Sequence, residues 1–97
     1  MNMQAMMAQA RKLQKEIEKV SEEIDNTVFT YENDNILIEC YGTNKVKNVK
    51  IKNEDVLEDK EILEDMILVG INNIIDQISK VKDQKLGKYT NGLGGLF

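Results

Sequence analysis

Eight cations are the side chains of this chain best placed, by type and spacing, to do chemistry. Arg11, Lys12, Lys15 and Lys19 fall close together near the start, and Lys80, Lys82, Lys85 and Lys88 near the end. Ammonium and guanidinium groups donate to phosphate oxygens, so two such groups brought together would form an electrostatic clamp on a phosphate backbone. Other chemistry has little to work with. The chain has no His, which removes the usual general base and the usual metal ligand. Cys40 stands alone, leaving neither a disulfide nor a thiolate metal site, and within Ile36-Leu37-Ile38-Glu39-Cys40-Tyr41 it reads as a small buried side chain. Glu54, Asp55, Glu58, Asp59 and Glu61 crowd together, but without the ligand spacing and turn glycine of a calcium loop. Carboxylates are plentiful, yet none is paired across a recognisable pocket and no nucleophile has a base beside it. The expectation is a binding protein, not an enzyme, with no cofactor, metal or small-molecule substrate.

The formal net charge of −4 conceals a segregated pattern. Residues 1–20 carry +2, residues 45–52 carry +4 and residues 80–97 carry +3, while residues 21–44 carry −6 and residues 53–79 carry −7. Two readings of the basic segments stand side by side. One is contact with phosphates. The other is a solvated helix face, since Lys12–Glu16 and Lys19–Glu23 are i,i+4 pairs that support a helix with no ligand. The strand lysines also have a plain role, because Lys on an edge strand discourages unwanted pairing.

The elements that must position these groups follow from periodicity. Met3, Met6, Ala10, Leu13, Ile17, Val20 and Ile24 recur at alternating steps of three and four. That spacing holds one narrow apolar seam on a helix running from about Met3 to Asp25. A seam this thin needs a partner helix. Taking Met3 as heptad position a, all four early cations fall at b, c and f, away from the seam. Thr27, Phe29 and Tyr31 then alternate with Val28, Thr30 and Glu32 as a strand. Asn33-Asp34-Asn35 supplies turn chemistry, Ile36 to Tyr41 forms a second strand, and Gly42-Thr43-Asn44 turns into a third at Lys45 to Lys52. Together these make an antiparallel meander with one covered face.

A second helix is predicted from near Asp59, with acids offsetting its positive end. Ile62, Leu63, Met66, Ile67, Val69, Ile71, Ile74 and Ile75 wrap much of its circumference, which suits burial against the sheet and a neighbour. Gly70 points to close packing in mid-helix, and Gly87 reads as a left-handed C-cap. Residues 1–87 thus form a single domain and residues 88–97 a Gly-rich flexible tail. At about 1.5 Å per residue the second helix would be about 40 Å long, so part of it should project beyond three strands. A chain of 97 residues buries little surface, and a two-fold homodimer would relieve that. The dimer contact could be the helix seam, with its own or the partner's second helix, or a sheet edge. No segment has the roughly 20 apolar residues of a membrane span, and no secretory signal is evident, so a cytosolic protein is expected.

Several stretches also resemble the YbaB/EbfC family of bacterial nucleoid-associated proteins. They are Met1-Asn2-Met3-Gln4 with Met6, Met7 and the Gln/Lys/Glu-rich helix to Glu23; Lys45-Val46-Lys47-Asn48-Val49-Lys50-Ile51; Asp59-Lys60-Glu61-Ile62-Leu63-Glu64-Asp65-Met66-Ile67, continuing to Asn72; and Lys85-Leu86-Gly87-Lys88-Tyr89-Thr90 with the glycines and Leu96-Phe97 behind it. The resemblance implies an α+β protein of order α-β-β-β-α, a homodimer with helices projecting like tweezers, and nucleoid-associated binding of double-stranded DNA with little or modest sequence preference. Two turns depart from the family: Asn33-Asp34-Asn35 replaces a usual Gly run, and Ile51-Lys52-Asn53 replaces a usual Ile-Asp-Pro. The eight cations would then contact DNA phosphates. The runner-up is a dimeric protein-interaction module, using the seam and a tail that carries Leu93, Leu96 and Phe97.

Overall fold

Asn2 starts the first helix by accepting the Gln4 amide on its side chain at 2.8 Å, satisfying one of the orphan donors of a helix N-terminus. A computed structural model describes residues 2–92, with side chains through Tyr89. The elements are α1 (Met3–Asn26), β1 (Val28–Glu32), β2 (Ile36–Tyr41), β3 (Val46–Ile51), a 3-10 turn (Glu54–Glu58) and α2 (Lys60–Gly92). This is the α-β-β-β-α order read from the sequence. Helix α1 stops at Thr27, whose amide donates to the Ile24 carbonyl at 3.0 Å and whose hydroxyl donates to the Glu23 carbonyl at 2.7 Å.

The three strands form an antiparallel sheet in the order β1-β2-β3, pairing Tyr31 with Ile38 and Ile38 with Val49. Asn33 closes the first hairpin, its side-chain oxygen accepting from the amides of Asn35 (2.8 Å) and Ile36 (2.9 Å). The second hairpin turns through Gly42, Thr43 and Asn44. The Asn44 amide donates to the Tyr41 carbonyl at 2.9 Å, and Asn44 takes the left-handed φ of 70°, which Asn tolerates. The two turns that depart from the family pattern meet each other. Asn53 donates to the Asn35 side chain at 3.2 Å, the Lys52 amide donates to the Asn35 carbonyl at 2.7 Å, and Asn53 also caps the 3-10 turn by accepting from Asp55.

Alternation along β2 places Ile36, Ile38 and Cys40 on the face beneath α2, where they join Ile24, Phe29, Ile74 and Ile78 in one buried cluster. Gly70 makes this approach possible: a Cβ there would stand 2.8 Å from both Ile38 Cδ1 and Tyr31 Cδ2. Its close packing is therefore against the sheet. The Cys40 thiol is free and buried, and burial pushes its pKa up. Alkylating reagents at pH 8 are expected to modify it only once denaturant opens the fold. The linkage runs the same way: the thiol's contribution to stability is full below the unfolded thiol's pKa and is lost as pH rises through the folded value. Replacing Cys40 with alanine should therefore flatten the alkaline limb of a stability-versus-pH curve.

Three expectations need correction. Helix α2 continues through Gly87 to Gly92, so Gly87 is no cap; it sits inside a helix wall with open space where a Cβ would go, and nothing there forces the chain to turn. The acids do not all crowd the helix start, because Glu54–Glu58 form a separate 3-10 turn; Asp59 alone caps α2, accepting from the Ile62 amide at 3.2 Å. The covered sheet face is covered only over β1 and β2. Val46, Val49 and Ile51 lie level with Cys40, Ile38 and Ile36 on that same face, yet every residue of β3 is exposed. Residues 93–97 of the expected tail lie outside the described residues.

The helices project. The molecule measures 69 × 22 × 15 Å with a radius of gyration of 19.3 Å, against about 12–13 Å for a compact chain of this length. Beyond the sheet α1 and α2 run side by side and antiparallel, with Lys85 and Lys88 next to Val20 and Glu23.

Candidate nucleic-acid interface

The cations of α1 share one side of a projecting rod. Arg11, Lys12, Lys15 and Lys19 are all exposed and, with Ala8 and Glu16, line one shallow surface. Their spacing turns them opposite the seam, which packs inward as α1 nears the sheet: Ile24 is buried and Val20, Ile17 and Leu13 are half-buried. The helix is thus held by one side and offers the other. Among the described residues the ion pairs are Lys52–Glu32 at 2.8 Å and Lys47–Glu39 at 4.0 Å. Neither Lys12–Glu16 nor Lys19–Glu23 is among them, so the four α1 cations are not occupied by neighbouring carboxylates.

Helix α2 does not gather its four lysines. Lys80 and Lys82 are two residues apart, which puts them about 160° apart around the axis. Lys82 is half-buried in a groove with Asn44, Ile75, Ile78, Ser79 and Asp83, away from α1. Lys85 and Lys88 are exposed beside α1, and the Lys88 ammonium lies 4.9 Å from the Tyr89 ring centre. The structure therefore brings together Arg11, Lys12, Lys15 and Lys19, sets Lys85 and Lys88 at the neighbouring groove, and places Lys82 in a different one, with Lys80 on another side of α2 from Lys82. The i,i+2 spacing of Lys80 and Lys82 already carried that signal. Two of the strand lysines are engaged within the fold, Lys47 by Glu39 and Lys52 by Glu32, and Lys52 also donates to the Asn33 carbonyl at 3.0 Å.

The sequence pattern did not single out the open apolar surface along β3. Val46, Val49, Ile51 and, on the adjoining flank of α2, Ile75 are between 39 and 49% exposed. The signal was present in β3 itself, whose inward residues are as apolar as those of β2 while the helix is only wide enough to cover two strands.

The molecule is thus a helix–sheet–helix protein whose sheet roots two projecting helices, one with an exposed cationic side. Residues 1–93 match the YbaB/EbfC DNA-binding family, and the chain belongs to it. It is 46% identical to a nucleoid-associated protein of Lactococcus lactis subsp. cremoris, over 96% of this chain and 97% of the relative. It is 38% identical to a nucleoid-associated protein of Enterococcus faecalis, over 98% of this chain and 94% of the relative. The fold is also that of the uncharacterized protein HP0035 from Helicobacter pylori, with a TM-score of 0.67 at 20% identity, covering 97% of this chain and 99% of that one.

Proposed function

We propose that this protein is a dimeric, nucleoid-associated protein of the bacterial cytoplasm that binds double-stranded DNA through phosphate contacts with low sequence specificity. The observation that carries this reading is the unpaired cationic side of α1, turned away from the seam that anchors it. Arg11, Lys12, Lys15 and Lys19 make the principal contacts, with Lys85 and Lys88 adding charge from the neighbouring helix. Lysine–phosphate contacts fix position without reading sequence. Arg11 is the single Arg of the chain and the one side chain with the forked donor that reads guanine bidentately, so base readout is weak. The role is binding, and no substrate is turned over. In support, no helix among the described residues is long and apolar enough to cross a membrane.

The second copy sits on the open apolar surface of Val46, Val49, Ile51 and Ile75, and its arrival doubles the cationic rods into a two-armed clamp. Val49→Lys places a charge at the centre of that contact, and sedimentation velocity is expected to show a folded monomer. A dimer of unchanged affinity would move the contact elsewhere.

The reading is tested by anisotropy titration of two unrelated labelled duplexes across a salt series. With about five phosphates neutralised, log K should fall against log salt with a slope near −4 to −5, and the two duplexes should bind alike. A slope near zero at measurable affinity would overturn the phosphate mechanism.

A further inference from the structure

Two apolar surfaces at opposite ends of the molecule are open among the described residues. At the start of α1, Met3, Met6 and Met7 are each more than half exposed, and Ala10 is exposed behind them. They stand at i, i+3, i+4 and i+7, the spacing by which one face of a helix enters a groove. At the start of α2, on the flank toward β1, Tyr31, Ile62, Asp65, Met66 and Val69 line a groove of about 230 Å³. Its outer residues, Ile62 and Val69, are also more than half exposed. The two helices run antiparallel past the level where Val20 and Glu23 meet Lys85 and Lys88. From that level Met6 lies about 21–26 Å away along α1 and Ile62 about 35–39 Å away along α2, in opposite directions. The surfaces are roughly 60 Å apart, most of the molecule's 69 Å length. They cannot meet within one chain.

We infer that the start of α1 from one copy docks in this groove of a second copy, joining molecules head to tail. Charge selects that occupant. The first fifteen residues carry Arg11, Lys12 and Lys15 and no acid, whereas residues 54–65 carry seven acids and one Lys. Asp65 stands at the groove itself, with Glu61 one turn before it on the same side of α2. End-to-end approach therefore brings a positive end to a negative one, and the same charges keep like ends apart. The seam is too narrow for a core but suits a single helix flank, and methionine, unbranched and polarisable, moulds itself to the space beside Tyr31. Two different surfaces make the contact heterologous, so it repeats without closing. It is small, hence weak in dilute solution, and gains strength where copies are concentrated on one duplex. Lys12, Lys15 and Lys19 face away from the seam and stay free for phosphates, so neighbouring copies bind cooperatively. That consequence rests on the proposed DNA binding; the contact itself does not.

The test is sedimentation velocity of the whole protein without DNA, at low salt and rising concentration. The expected result is a species that grows beyond the basal size and shrinks back as salt is raised. Met6→Glu removes the tip and Val69→Glu the groove, both at exposed positions. Each variant alone should stay at the basal size, and mixing them should restore growth, because an intact tip then meets an intact groove. Val49→Lys should leave the growth in place, which separates this contact from the one at β3. A parent protein that never grows, a variant that grows as the parent does, or a mixture that stays basal would overturn the inference. So would a Met6→Glu protein smaller than the basal species, which would put the tip inside the dimer. A covalent reading needs no loss of function. Met6→Cys with Val69→Cys in one chain should give a ladder of disulfides between chains under diamide, with buried Cys40 out of reach; free thiols or a ring within one chain would also overturn it.

Discussion

Changing Arg11, Lys12, Lys15 and Lys19 together to glutamine is expected to lower affinity for duplex DNA by about three orders of magnitude near 0.1 M salt. Each phosphate contact contributes about 0.9 to the slope of log K against log salt. If four of the roughly five phosphates are met by these cations, counted over both rods, their removal flattens the slope by about 3.6, and the loss is largest where counterion release is worth most, at low salt. Both test duplexes should lose affinity alike, because lysine contacts to phosphate carry no sequence information. Folding should be spared: all four positions are exposed, glutamine is nearly as good a helix former as lysine, and no ion pair is lost. Lys47 and Lys52 make the matched comparison. They carry the same charge but are engaged by Glu39 and Glu32, so changing them to glutamine should cost affinity only a few-fold. If the strand pair proved as damaging as the α1 set, the DNA path would lie across the sheet and the helical clamp would be wrong.

What could be read in advance followed from local periodicity, and what could not was a matter of which surface covers which. The three-four repeat from Met3 to Ile24 placed α1, and the period-two runs at 28–32 and 36–41 placed β1 and β2, because amphipathic spacing is a property of a single segment. The cationic side of α1 came with it, since the same helical geometry that gathers the seam sends Arg11, Lys12, Lys15 and Lys19 the other way. The end of α2 was misread at Gly87. A glycine caps a helix when the chain must turn there, but with no contact imposed on either side Gly87 stays in the helix at the cost of about 1 kcal/mol. The exposure of β3 was hidden for the opposite reason. Val46, Val49 and Ile51 look like core, and only the width of α2 relative to three strands leaves them open. Asn33, Asn35 and Asn53 fall in turns, but the hydrogen bond from Asn53 to Asn35 joins positions 18 apart in the chain and has no local signature.

Gly42→Ala is expected to destabilise the protein by about 3 kcal/mol or more, a loss in the range of severe packing and strain defects. A Cβ at 42 would overlap the Ile24 carbonyl oxygen and lie 2.6 Å from the Ile24 carbonyl carbon. The obstacle is backbone, so no rotamer change relieves it, and the last turn of α1 must move away from the hairpin. That movement takes Ile24, 1% exposed, out of the core and stretches the 3.1 Å bond from the Gly42 amide to the Thr27 carbonyl. For a domain of this size the melting temperature should fall by roughly 12–24 °C. Two other glycines calibrate the result. Gly70→Ala meets the side chains of Ile38 and Tyr31, which can shift in part, so its cost should be smaller. Gly87→Ala meets nothing within 4 Å and should stabilise α2 by about 1 kcal/mol. The order Gly42, Gly70, Gly87 in thermal melts is therefore the prediction, and a Gly42→Ala protein as stable as the parent would break it. Gly42 is also where the projecting helix is rooted: the close approach of the β2–β3 turn to the end of α1 sets the angle at which α1 leaves the sheet. A variant that survives at lower temperature should therefore bind DNA more weakly while keeping all its charges, because its cationic rod leaves the sheet at a different angle.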